Sequence, residues 1–122
     1  MIRVPCEFMA TNVIPVVRRE LALQLIEHGF SQRKVAQLMK LTPSAVSQYI
    51  HSKRGTPKIN GYEIVLNEIK KLLQAFLTNE KQALNGADFC RLCVSLRKNK
   101  TFLELNKELI VKTFHCEFED MI

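Results

Sequence analysis

Cys90 and Cys93 stand three residues apart in the run Phe89-Cys90-Arg91-Leu92-Cys93, a spacing that puts both sulfurs on one side of a helix. With Cys6 and Cys116 they make a set of four thiols, the number that a tetrahedral zinc ion or an iron–sulfur cluster accepts. Such a site requires the N-terminal segment to pack back onto the C-terminal helices. A redox disulfide between Cys90 and Cys93 is a second chemistry open to the pair. Plain packing in a core is a third, because both fall on the same side as Leu96. Thioredoxin-like activity is not expected, since no βαβ pattern surrounds the pair.

Acid–base chemistry finds less support. His28, His51 and His115 are isolated, with no acid and base set together, no glycine-rich phosphate loop and no histidine at metal-binding spacing. An enzyme is therefore not expected.

A second constellation of polar residues lies in Ser31-Gln32-Arg33-Lys34-Val35-Ala36-Gln37-Leu38-Met39-Lys40-Leu41-Thr42-Pro43-Ser44-Ala45-Val46-Ser47-Gln48-Tyr49-Ile50. Ser31 is placed to cap a helix running to about Met39, with Val35, Ala36, Leu38 and Met39 inward. Thr42 is placed to cap the next, with Pro43 at its first position, where a missing N–H costs nothing. That helix packs through Val46, Tyr49 and Ile50 and leaves Ser44, Ser47, Gln48 and His51 outside. A turn of about three residues joins the two, and Ala36 is small where they cross. Pairs of this kind read DNA when the first helix braces the second, whose N-terminal end shows small polar side chains to base edges.

Charge is distributed accordingly. Residues 1–60 hold nine Lys/Arg against three Asp/Glu, a net of +6, while residues 61–122 hold nine of each, a net of zero. All the excess positive charge of the 122-residue chain thus lies in the half that carries the helical pair, where phosphate neutralisation requires it.

The segment resembles the lambda-repressor-like (Cro-type, or XRE) helix-turn-helix regulators over residues 14 to about 60, through the Ser-Gln start, the Ala, and the Thr-Pro-Ser-Ala-Val-Ser run. The resemblance implies a recognition helix at about 43–53 in the major groove of double-stranded DNA. Gln32 would contact a phosphate, and Pro43, Ser44 and Gln48 would face base edges, glutamine being able to make a bidentate contact to adenine. Thr42, Ser47, His51, Lys53 and Arg54 would be phosphate or flanking contacts, with Lys58 close behind. Lys40 departs from the pattern, standing where such motifs often hold glycine for a positive φ. A wider pattern, Pro5-Cys6-Glu7 followed by the helical pair and a Cys-x-x-Cys helix, is similar to a group of archaeal regulators, which implies a sensing role through the cysteines.

The supporting elements read as helices throughout. A first one spans about Ile14 to His28, with Val16, Val17, Leu21, Leu25 and Ile26 on its apolar side, Arg18, Arg19, Glu20 and Glu27 on its wet side, and Thr11 or Asn12 as its cap. His51 to Gly61 is polar and marks a boundary between a DNA-binding domain, 1–60, and a helical region for dimerisation or sensing, 61–122. Next comes a helix from about Tyr62 to Leu77 whose apolar face is wide enough for burial on two sides or at a subunit contact. Beyond a break near Asn85-Gly86, helices are predicted at Ala87 to about Lys98 and Phe102 to about Phe114, joined by Asn99-Lys100-Thr101.

The expected fold is all-α: a lambda-repressor-like bundle, a long helix and a small C-terminal helical region. A hydrophobic fraction of 47% with 25% charged residues belongs to a folded, soluble protein, and no stretch approaches the roughly 18 apolar residues of a membrane span. Lacking a signal-peptide progression after Met1, the chain is expected to be cytoplasmic. Two functional expectations follow: a homodimeric, sequence-specific transcriptional regulator, or an antitoxin-like adaptor that uses the same fold to bind a protein.

Overall fold

The computed structural model describes residues 8–51, 59–78 and 84–114. Among them the structure is helical, with no strand, and no helix is long and apolar enough to cross a membrane.

The first helix, α1 (Ile14–Glu27), has no side-chain cap, so neither Thr11 nor Asn12 plays the expected part. Its path begins upstream in a π-helical turn, Met9–Val13, where the Ile14 N–H donates to the Met9 carbonyl. Pro15 accounts for the wide turn: it has no N–H to give and its ring would press on the carbonyl four residues back. Phe8, Met9 and Val13 are buried there, so apolar burial rather than a polar cap secures the start. The Asn12 amide instead donates to the Phe8 carbonyl, at 3.3 Å.

Val16, Val17, Leu21 and Leu25 of α1 are buried as their spacing requires. Glu20 is buried as well, contrary to its expected place on the wet side, and Arg19 is half-buried. Arg19 Nη1 donates to Glu20 Oε1 at 3.1 Å. The Tyr62 hydroxyl also bonds this carboxylate, so the buried charge has both a cation and a donor.

Two short helices follow, α2 (Gln32–Met39) and α3 (Pro43–Ile50). Ser31 Oγ accepts from the Lys34 N–H and Thr42 Oγ1 from the Ala45 N–H, each at 3.1 Å, so both expected caps are formed. The ends of α1 and α2 are closed in the same way. After α1, Gly29 (φ 95°) lets its own N–H reach the Ile26 carbonyl and the Phe30 N–H reach the Leu25 carbonyl. After α2, Lys40 adopts φ 55°, with the Leu41 N–H on the Ala36 carbonyl at 2.9 Å and the Lys40 N–H on the Gln37 carbonyl at 3.4 Å. Both are the left-handed closure that glycine suits best, made once with glycine and once with lysine.

Helix α4 (Tyr62–Leu77) packs against α1 on one side and against α5 (Gly86–Arg97) on the other. Its wide apolar face is thereby covered on two sides within the chain: Val65, Ile69, Leu73 and Phe76 are buried and Ile64, Leu66 and Leu72 half-buried. Helix α5 starts in a capping box, the Asn85 side chain accepting from the Asp88 N–H at 3.2 Å and Asp88 Oδ2 from the Asn85 N–H at 2.9 Å. Buried Asp88 also receives Arg91 Nη2 at 2.6 Å.

The single helix expected from Phe102 to Phe114 is two, α6 (Lys100–Leu105) and α7 (Lys107–Phe114), with Asn99 capping the first. Asn106 causes the break. Its buried side chain accepts from the Asn60 N–H at 2.8 Å and donates to the carbonyls of Asn60 and Phe102, both at 2.9 Å, while the Asn60 amide donates to the Leu105 carbonyl at 2.9 Å. This clasp ties the residue pair before α4, Asn60 and Gly61, to the C-terminal helices. Gly61 (φ 78°) lies under it, and a Cβ there would stand 3.2 Å from Leu105 Cδ1 and 3.3 Å from Phe102 Cδ1. Buried side chains from Phe8 to Ile110 form one cluster spanning both sides of the polar segment 51–61.

Lys40→Gly is expected to stabilise the protein by about 1 kcal/mol, because the left-handed region costs a Cβ-bearing residue roughly 1–2 kcal/mol and glycine gives back part of that as chain entropy. Urea unfolding checks this, and an unchanged midpoint would show the turn to be unstrained. A second expectation concerns Tyr62, pushed up to about 12 by burial, then by the hydrogen bond and charge of Glu20. A tyrosine raised above its unfolded value near 10 adds stability that is complete below that value and is lost as pH rises from there through 12. Absorbance titration at alkaline pH should show a late phenolate step that is missing in Tyr62→Phe; if the step removed by that substitution lies near 10 instead, the contact is contradicted.

Candidate functional site

Helix α3 divides its residues sharply between two faces. Ala45, Val46 and Tyr49 are buried, and α3 packs on both α1 and α2. The opposite face carries Pro43, Ser44, Ser47, Gln48 and, just past the helix, His51, at successive intervals of one and three that make a continuous strip. Pro43, Ser44, Gln48 and His51 are exposed, and Ser47 is half-buried.

Gln32 is exposed at the first position of α2, where backbone N–H groups without helical partners face outward. Thr42 is exposed too, although its hydroxyl oxygen is engaged as the α3 cap. The described contact residues named from the sequence thus all lie at the start of α2 or along the outer strip of α3. Lys53, Arg54 and Lys58 lie outside the described residues.

The charge of the sequence around these two helices is one-sided. From His28 to Tyr62 there is no Asp or Glu, while Arg33, Lys34, Lys40, Lys53, Arg54 and Lys58 supply six cations. Neither α2 nor α3 has an acidic residue in its first turn. Arg33 and Lys34 sit exposed in the first turn of α2, beside the positive end of the helix dipole, an arrangement that costs some tenths of a kcal/mol to about 1 kcal/mol unless an anion offsets it. Sequence reading gave these two residues no role. Their signal was available in the missing carboxylates around them.

What this strip offers chemically is recognition. It presents hydroxyls, a carboxamide, an imidazole and helix N-termini, groups that donate and accept hydrogen bonds at planar edges and phosphates.

The cysteines form a separate locus. Cys90 is exposed and Cys93 half-buried on α5, and both line one cleft between α5 and the start of α1. Two thiols are half of what a four-thiolate zinc or iron–sulfur site needs, and Cys6 and Cys116 lie outside the described residues. Among the described residues no three His, Cys, Asp or Glu side chains come together to hold a metal. The cleft, about 400 Å³ in volume, joins residues that sequence reading did not connect: Ala10, Ile14 and Arg18 on one wall, Phe89, Cys93 and Arg97 on the other. Each triplet has four-residue spacing, but nothing in the chain's periodicity says that the two triplets face each other.

Comparison of the chain with protein-family models, with curated proteins and with solved structures finds no match in any of the three.

Proposed function

We propose that this chain is a sequence-specific DNA-binding transcriptional regulator, in which α2, the turn at Lys40 and α3 act as a helix-turn-helix of the lambda-repressor-like kind. The observation that carries this reading is the outer strip of α3, polar and exposed, set in a stretch of 35 residues that contains six cations and no carboxylate. A duplex carries a negative charge about every 1.7 Å, so a surface of this sign and size favours it over a neutral or acidic partner.

In this reading α3 enters the major groove. Ser44 and Gln48 read base edges with Pro43 packed beside them. Gln32, Thr42, Ser47 and His51 fix the helix on phosphates, and Lys53 and Arg54 hold the flanking backbone. Arg33 and Lys34 join them at the α2 N-terminus.

The reader acts as a homodimer, because a single eight-residue recognition helix covers too few base pairs to select a site. The wide face of α4 is largely used within the chain; among the described residues the exposed large apolar side chains are Leu77 (39%) at the end of α4, Val94 (43%) on α5, and Leu105 (47%) and Val111 (43%) on α6 and α7, of which the last two are the surface proposed for pairing. The same residues support the second reading, an antitoxin-like adaptor that binds another protein. Sedimentation equilibrium separates the two: a concentration-dependent dimer that Leu105→Glu dissociates supports pairing, and a monomer at every concentration supports the adaptor.

Gln48→Ala or Ser44→Ala should relax base preference at one position of each half-site, with about 1–3 kcal/mol lost where a bidentate contact goes. An equal loss on every sequence would move base reading away from these residues. Lys53→Ala and Arg54→Ala should instead leave sequence preference intact and lower the salt slope by about 0.9 per phosphate contact removed. An unchanged slope would put both off the DNA.

A further inference from the structure

The cleft between α1 and α5 is built from two ridges that run opposite ways. Arg18 meets the start of α5, because it shares a second, smaller cleft of about 200 Å³ with Gly86 and Phe89. Lys40 and Leu41, from the turn between α2 and α3, border that smaller cleft as well. From Gly86 the main cleft continues along α5 past Cys90, Cys93 and Val94 to Arg97, eleven residues and so about 16 Å further. Its opposite wall is the π-helical turn at Met9 and Ala10, followed by Ile14.

The result is a trough with an apolar middle and an arginine at either end, Arg18 at one and Arg97 at the other. Ala10, Ile14, Phe89 and Val94 offer hydrocarbon, the thiols of Cys90 and Cys93 are weakly polar, and charge comes from Arg18, which lines both clefts, with Lys40 bordering the smaller one. No acidic side chain occurs among the described residues of either lining. Arginine stays charged at any pH the protein meets and grips a carboxylate in bidentate fashion. A volume of about 400 Å³ lies within the range of small-molecule sites, which pair mostly apolar walls with a few placed polar groups. Widened helical turns, like the one forming the far wall, also recur at functional sites.

We propose that this cleft binds a small aliphatic carboxylate, its anionic end held by Arg18 beside Lys40 and its hydrocarbon laid along Ile14, Phe89, Cys93 and Val94. Arg97 borders the far end. Cys93 becomes a reporter of occupancy, since a bound chain covers its thiol. An occupant also touches the neighbourhood of the Lys40 turn that sets α3. That consequence rests on the DNA-binding reading, whereas the binding itself does not.

Decanoate is the probe, with decanol as its uncharged counterpart, and the full chain is titrated calorimetrically with each. Decanoate should bind about tenfold or more tightly than decanol, the difference expected of a charge-assisted hydrogen bond. Arg18→Ala should remove most of that advantage while leaving the affinity for decanol unchanged. Val94→Trp fills the trough from a position already 43% exposed, so folding is spared, and it should abolish binding of both. In parallel, decanoate should slow alkylation of Cys93 by N-ethylmaleimide severalfold. Equal affinity for decanoate and decanol, an undiminished response in Arg18→Ala, no protection of Cys93, or no binding at all would each overturn the proposal. None of these readouts involves DNA, so the cleft can fail while the reader stands, and the reverse.

Discussion

Val46 and Tyr49 on α3 are almost wholly withdrawn from water, and the helix that carries them is eight residues long. A helix of that length does not persist alone in water, so its existence and its orientation both come from packing against α1 and α2. Burying one face commits the other. With Ala45, Val46 and Tyr49 turned inward, the period of the helix leaves Pro43, Ser44, Ser47, Gln48 and His51 with nowhere to lie but outside. The surface proposed to read DNA is in this sense the by-product of a core contact, and its polar composition is what makes it more than a solvated face.

Two polar joints, each with one buried member, Glu20 or Asn106, tie the helices before residue 60 to those after it. Glu20 with Arg19 and Tyr62 holds α1 to the first turn of α4, and Asn106 with Asn60 holds the segment before α4 to the break between α6 and α7. Apolar packing alone would permit sliding between helices. Hydrogen bonds of fixed geometry do not, and leaving such a buried group unsatisfied costs about 1–3 kcal/mol. The long helix α4 is consequently a shared floor: α1 rests on one side of it and α5 on the other, and the cleft lined by the cysteine pair opens between those two.

Much of this was legible in the residues. Ser31, Thr42 and Pro43 announce helix starts because capping is a local hydrogen bond, and the bounds of α4 follow from an uninterrupted apolar period. The outward residues of α3 could be named because a two-faced helix sorts its own side chains. What escaped was whatever depends on distant partners. Glu20 looks solvated until Arg19 and Tyr62 close on it, and Asn106 looks like any surface residue of a continuous helix until the Asn60 backbone reaches it. The π-helical turn was hidden as well, since Pro15 signals a helix start and only the burial of Phe8 and Met9 shows that the helix begins earlier. For the same reason the Cys90 and Cys93 pair gave its own geometry but not the wall it faces.

The claim that organises the rest is that the outer strip of α3 reads base sequence. It is tested most directly by selecting bound duplexes from a random library with the purified full chain and measuring how affinity for the enriched sequence falls with salt. The account predicts an enriched motif with two related half-sites about one helical turn apart, and a slope of log affinity on log salt of several units, at about 0.9 per phosphate. A library that emerges unenriched, together with affinity indifferent to salt, would contradict it.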